Sequence, residues 1–251
     1  MRKLSTTVAM LLAALLLAAS SARGAELRLL ASNGVKAAVE ALKPQLEKAS
    51  GSTLSIEFST AATLRERIEK GEAFDVAILT DDAMDALVKA GKVSPMLTKL
   101  ARVGIGVGYP HGAARPDVST AAAMKQSLLN AKAIAYTGNG ASRPAIDKMI
   151  ERLGIAKEMR AKSHLTAAGS APASVAKGES DLVLTLISEI LPEPGVELAG
   201  PLPADFQAYL GFSAATSPKA AGEASAAKMI AVLHGSAAAA TYTAKGMEVT
   251  R

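Results

Sequence analysis

The sequence predicts an α/β protein with parallel sheet and helices on both faces. Three observations carry that expectation. Apolar runs of strand length alternate with apolar stripes of helical period, bare small-residue joints separate the two, and no cysteine is present to staple a smaller fold. At 49% hydrophobic and 20% charged residues the chain reads as globular, and about 225 residues beyond its leader suffice for one large or two modest domains.

The elements follow in order. Leu27 to Ala31 is a short apolar strand; Val35, Val39, Leu42 and Leu46 then share one helical face. Pro44 should kink or break that helix, and Ser50-Gly51 should end it. Leu54, Ile56 and Phe58 alternate as a half-buried strand, Thr60 to Lys70 is helical with Leu64 and Ile68 inward, and Phe74 to Leu79 is a fully apolar strand. Asp81 and Asp82 are expected to cap a helix reaching Gly91, and Asp75 to accept a structural hydrogen bond. The alternation continues with a strand near Arg102 to Gly108, a helix near Thr120 to Asn130, a strand from Lys132 to Tyr136 and a helix from Arg143 to Gly154. A helix around Pro172 to Lys177, a strand from Leu182 to Ile187 and a Pro/Gly-punctuated loop, LPEPGVELAGPLP, come next. An extended stretch from Phe206 to Ala214 leads into two terminal helices, the last from about Ser236 to Gly246. The stretches RVGIGVGY and FQAYLGFSAA are each long enough to pass between domains.

The N-terminus predicts export. Arg2 and Lys3 precede an apolar segment from Val8 to Ala19, then small residues, which is the order of a cleavable secretory signal and too short for a membrane span. Cleavage is expected after Gly24, with residues 1–24 as the signal and no lipid anchor, since no N-terminal cysteine is available. Loss of Arg2, Lys3 and Arg23 lowers the formal charge from +5 to +2. With no basic cluster, four Tyr, four Phe and no Trp, the clamps and stacking platforms of nucleic-acid binders are missing.

Catalytic and metal motifs are equally sparse, so no catalytic residue, metal ligand or cofactor is assigned. His111, His164 and His234 stand alone, no G-x-S-x-G elbow occurs, and Gly138-Asn139-Gly140 lacks the lysine of a phosphate loop. Gly104-Ile105-Gly106-Val107-Gly108 lies within a strand, where a dinucleotide fingerprint would open a helix.

Three junctions share a design instead: Ala31-Ser32-Asn33-Gly34, Phe58 to Thr63, and Tyr136 to Arg143. Each leaves a strand and opens a helix, presenting free amides and the positive end of a helix dipole. Singly each is an ordinary helix cap; converging, they form an anion site.

The order of segments, with FSTAATLRERIEKGEAFDVAILTDDAMDALVKAGKV as its most distinctive stretch, resembles the molybdate-binding branch of the periplasmic solute-binding proteins of ABC transporters. The resemblance implies the two-lobed, type II periplasmic-binding fold, with two crossing strands and a ligand in the cleft. Lobe one is then 25–103 with 209–251, and lobe two is 104–208. It also implies a periplasmic, monomeric binder of a small anion that partners a membrane permease, and no enzyme. Residue by residue, the ligand serine of the first loop falls on Gly34, or on Ser32 if the turn slides, beside Asn33. The second serine falls on Ala61 with Thr60 adjacent, the lobe-two tyrosine on Leu186, and the third-helix amide on Ser142, followed by Arg143. A further amide is expected near Ala168-Gly169.

The hydroxyl set of the resembled family is thus largely absent, and each unmade bond in a dry site costs about 1 to 3 kcal/mol. Arg143 supplies a planar fork suited to a carboxylate, and the lost bulk at Gly34 and Ala61 is expected to leave space. The ligand expected is an organic di- or tricarboxylate, with a molybdate- or tungstate-type oxyanion as the alternative and an exported enzyme or periplasmic sensor behind it.

Overall fold

A computed structural model describes residues 26–220 and 222–250. The expected signal segment lies outside the described residues. The chain folds as two α/β lobes built on a continuous ten-stranded array.

In the first lobe β1 (Glu26–Ser32) runs parallel to β2 (Thr53–Ser59) on one side and β3 (Val76–Thr80) on the other. The connecting helices are α1 (Lys36–Ser50), entered through a single 3-10 turn at Asn33–Val35, and α2 (Ala61–Glu69); α3 (Asp81–Lys89) follows β3. Leu29, Ala31, Val76 and Ile78 face one core with Val39, Leu42 and Leu46 of α1, while Leu30, Ala77 and Leu79 face another with Leu64, Ile68 and Met84. The strand period of two thus feeds helices on both faces.

The first passage between lobes falls within one strand, and the return runs through residues 202–208, where a second crossing strand was expected. The 13-residue β4 (Thr98–Pro110) pairs up to Gly104 with β9 (Tyr209–Thr216), and from Ile105 onward with β7 (Leu182–Leu186) and β8 (Val196–Pro201). At the change of partner the Gln207 side chain takes over the role of a neighbouring strand: Ile105 N donates to its Oε1 at 3.0 Å, and its Nε2 donates to Ile105 O at 3.0 Å.

The second lobe repeats the parallel plan, β5 (Ile134–Thr137) lying between β6 (Ser163–Thr166) and β7. Its helices are α4 (Ala121–Asn130), α5 (Arg143–Arg152), α6 (Ala156–Lys162), α7 (Ala171–Ala176) and the single turn α8 (Ile187–Ile190). Two helices, α9 (Glu223–His234) and α10 (Ser236–Ala244), return to pack on α1, and β10 (Glu248–Val249) adds to the first half of β4.

Several local expectations are revised. Pro44 sits inside an unbroken α1; Glu40, whose carbonyl loses its intrahelical donor, is exposed, so water replaces the missing N–H. Asp81 does not cap α3 with its side chain; its carboxylate accepts from Ser213 Oγ at 2.5 Å, and the helix starts from Thr80 without a side-chain cap. Asp75 does accept the backbone N–H of Arg28, at 2.8 Å. The Pro/Gly-rich stretch expected as loop contains β8, and α6, β6 and α8 lie where no element was expected.

Candidate functional site in the interlobe cleft

All three bare junctions stand at the carboxyl ends of parallel strands, where α/β sheets place their ligands. They converge on one small cavity of about 20 Å³, room for about one water molecule. From the first lobe it is lined by Ser32, Asn33 and Gly34 after β1, and by Thr60 and Ala61 after β2. From the second come Thr137, Gly140, Ala141 and Ser142 after β5. A fourth junction, β7 into α8, contributes Thr185, Leu186 and Glu189; sequence reasoning names Leu186, at the place of the lobe-two tyrosine, and misses the other two.

Hydrogen-bond bookkeeping shows what each junction can offer. Ser32, at the cap position before the 3-10 turn, makes no side-chain cap bond and is buried. Thr60 does cap its helix, accepting from Thr63 N at 3.2 Å and donating to Thr63 Oγ1 at 2.9 Å, so its hydroxyl serves the local structure. At the third junction the Arg143 amide donates to Gly140 O at 3.0 Å and Pro144 has no N–H, which leaves Ala141 and Ser142 as its amide donors. Ser142 likewise makes no side-chain cap bond.

The lobes touch across the cavity. Ser188 Oγ, buried at the start of α8, donates to Gly34 O at 2.7 Å, and Asn139 Nδ2 donates to Thr63 Oγ1 at 3.1 Å. Gly169, at φ +74° where only glycine is unstrained, lies against Asn33: a Cβ there would approach its Nδ2 to 3.1 Å. Asn33, Gly169 and Glu189 also border an adjoining space of about 330 Å³, lined further by Lys36, Glu40, Phe58, Ser188 and Glu193. Asn33 and Glu189 therefore stand at the divide between the small cavity and the larger space.

Two expectations about this region change. The room expected at Gly34 is taken: a Cβ on Gly34 would sit 2.5 Å from Phe212 Cζ and 2.7 Å from Leu186 Cδ1, so the absent side chain is replaced by core packing rather than by ligand space. Arg143 does not line the cavity. Its Nε lies 2.7 Å from both carboxylate oxygens of Asp147, one helical turn on, and its guanidinium stacks 4.8 Å from the Tyr136 ring centre.

Electrostatics single out Glu189. It is the one charged residue type in the cavity lining, and among the described residues no Lys, Arg or His pairs with it. Desolvation pushes its carboxyl above the ordinary glutamate value, opposed by hydrogen bonds from the Thr185 hydroxyl and the Leu186 amide. The cleft thus brings four strand ends, with their helix starts and hydroxyl side chains, around a carboxyl whose pKa burial raises.

Known proteins resemble the chain in sequence and in fold. Residues 27–248 match the family model of the bacterial extracellular solute-binding protein. The chain is 30% identical over 222 residues to an aconitate isomerase from Pseudomonas sp., covering 83% of each chain. The periplasmic molybdate-binding protein of Azotobacter vinelandii superposes with a TM-score of 0.78 at 18% identity, over 90% of this chain and 100% of that one. The binding protein AgtB from A. tumefaciens R10, in complex with agropinic acid, superposes with a TM-score of 0.67 at 15% identity, over 90% of this chain and 83% of its own. At these identities the two structures establish the fold alone, whereas the match across nearly the whole described chain establishes the family: the protein belongs to the bacterial extracellular solute-binding proteins.

Proposed function

We propose that the protein captures a small organic polycarboxylate between its lobes, in the periplasm, for delivery to the membrane permease of an ABC importer. The observation that carries this reading is the pair of adjoining spaces: the small cavity at the helix starts and the larger space beside Lys36 share Asn33 and Glu189 in their walls. One carboxylate sits at the helix starts, and the rest of the acid extends toward the lysine. The name of the 30%-identical relative supports a tricarboxylate in particular. Ligand donors in this reading are Ser32, Asn33, Gly34, Ala61 and Ser142, with Gly169 closing the outer side; Thr60 holds its helix start in place, and Arg143 contributes its charge from outside the cavity. Residues 25–103 with 209–251 close against 104–208, and one copy of the chain suffices.

A thermal-shift panel of dicarboxylates, tricarboxylates including aconitate, amino acids, molybdate, tungstate and sulfate tests it. An acid at a hundred times its Kd stabilises the fold by about 2.7 kcal/mol. A response to at least one polycarboxylate is expected, and a tight response to molybdate alone would overturn the reading. A second reading, that the acid is isomerised while bound, is favoured by the relative's name and by the lone carboxyl in an otherwise uncharged lining.

A further inference from the structure

The cleft needs no carboxyl for holding an anion. Amides and hydroxyls do that without repelling the ligand, and an acidic side chain in such a place is costly unless it does something else. Glu189 stands at the divide between the cavity and the adjoining space, so an acid spanning both passes its carboxyl. Thr185, one turn back, fixes that carboxyl from the end of β7 by a hydrogen bond to Oε2. The charged groups on the adjoining space are Lys36, Glu40 and Glu193, and the first two face each other at 4.0 Å. None of them lines the inner cavity.

We propose that Glu189 is a proton carrier, and that the cleft catalyses an allylic 1,3-proton shift in a bound unsaturated polycarboxylate. This rests on the reading that the cleft holds such an acid. The step balances without any co-reactant. The Glu189 carboxylate takes a proton from the saturated carbon between a carboxylate and the double bond. The electron pair of the broken C–H bond spreads over the three-carbon unit and its carboxylates, and the double bond re-forms one position along. The Glu189 carboxylic acid returns the proton to the far carbon, and the side chain ends as it began. Amides at the helix starts stabilise the charge that builds on the ligand carboxylate during transfer. A carboxyl whose basicity is increased by desolvation is the better base for a carbon acid. Burial of the reacting carbons between the lobes limits exchange of the captured proton with water.

The test is proton NMR of the full-length mature protein in D2O with the cis and trans propene-1,2,3-tricarboxylates, alongside calorimetric titration of the same acids. Wild type should bind and interconvert the isomers, and a fraction of early product should retain its original proton, as transfer by one shielded carboxyl requires. Glu189→Gln should bind within about threefold of wild type while conversion falls by about 10²- to 10⁴-fold. Thr185→Val, which leaves the carboxyl in place but loosens it, should lower the rate by a smaller factor with binding retained. Binding by wild type without conversion or deuterium uptake overturns the proton-carrier role and leaves the binding reading standing. Conversion undiminished in Glu189→Gln overturns it as well. Failure of wild type to bind either acid removes the reading on which both stand.

Discussion

Gly34 offers the sharpest check on how the cleft is built. The resemblance drawn from the sequence places a ligand serine of the molybdate binders here, or at Ser32 if the turn slides, so the naive way to restore oxyanion binding is Gly34→Ser. The structure predicts that this fails, and that even Gly34→Ala is harmful. A Cβ at this site would come to 2.5 Å of Phe212 Cζ, 3.2 Å of Phe212 Cε1 and 2.7 Å of Leu186 Cδ1. Phe212 is fully buried in the central strand β9 and Leu186 is 5% exposed, so neither ring nor methyl can swing into solvent. Overpacking of this kind costs about 1 to 3 kcal/mol. For a chain of this size 1 kcal/mol shifts Tm by about 2 to 4 °C, so Gly34→Ala should melt several degrees below wild type. Phe212→Leu removes the atom nearest the new Cβ. Alone it destabilises by leaving a void; combined with Gly34→Ala the two losses should sum to less than their separate values, a favourable coupling of about 1 kcal/mol within the range for residues in contact. Urea unfolding of the four proteins reads this directly. A Gly34→Ala protein as stable as wild type, with no coupling to Phe212→Leu, would refute the argument that aromatic packing has replaced the family's serine.

Three further outcomes are expected. Arg143→Ala should change polycarboxylate affinity by less than about threefold in calorimetry, because its guanidinium is committed to Asp147 and Tyr136; the small cost of an i,i+4 pair, about 0.3 to 0.5 kcal/mol, should appear in stability instead. Ser188→Ala removes the donor to Gly34 O across the cleft, so X-ray scattering should show a larger radius of gyration for the unliganded protein, and ligand should restore the compact value. Glu189→Gln should raise Tm near about pH 8 and leave it unchanged near about pH 4. The sign follows from burial, which raises the folded carboxyl's pKa: the unfolded chain ionises first, so the wild-type penalty is absent below the ordinary glutamate value and grows as pH rises from there through the folded value. Equal Tm differences at both pH values would count against a desolvated carboxyl.

The legible parts of the fold were those with a repeating signal. Val35, Val39, Leu42 and Leu46 mark α1 because a 15-residue helix repeats its apolar face several times, and the apolar run from Phe74 to Leu79 marks β3 because a strand covered on both faces is largely apolar. The three small-residue junctions were visible for a related reason, since a strand end and a helix start each leave a pattern. The fourth was hidden. A helix of four residues, Ile187–Ile190, has no period to read, and its apolar ends extend the preceding strand LVLTL without a break. Thr185 and Glu189 were missed with it, although a hydroxyl and a carboxylate four apart across a strand end are the trace they leave. β8 was read as loop because only Val196 and Leu198 alternate between its prolines and glycines, and its pairing comes from β4 alone. What filled the place of Gly34 lay 178 residues away in Phe212, a distance over which local pattern carries no information.

The Gln207 clasp on Ile105 bears on how freely this molecule can breathe. A rotation of one lobe on the other at that point would normally tear backbone pairs from a sheet and leave them dry. Here Ile105 at the pivot is held by the side-chain amide of Gln207, on a flexible stem that can swivel with it while keeping both hydrogen bonds, and the backbone amide of Leu202 shares its carbonyl at 3.0 Å. The ladders on either side, Thr98 to Gly104 against β9 and Ile105 to Gly108 against β7, travel as intact plates. Opening therefore meets resistance chiefly at the rim, from a few contacts such as Ser188 with Gly34, and those are the contacts a captured solute can reinforce.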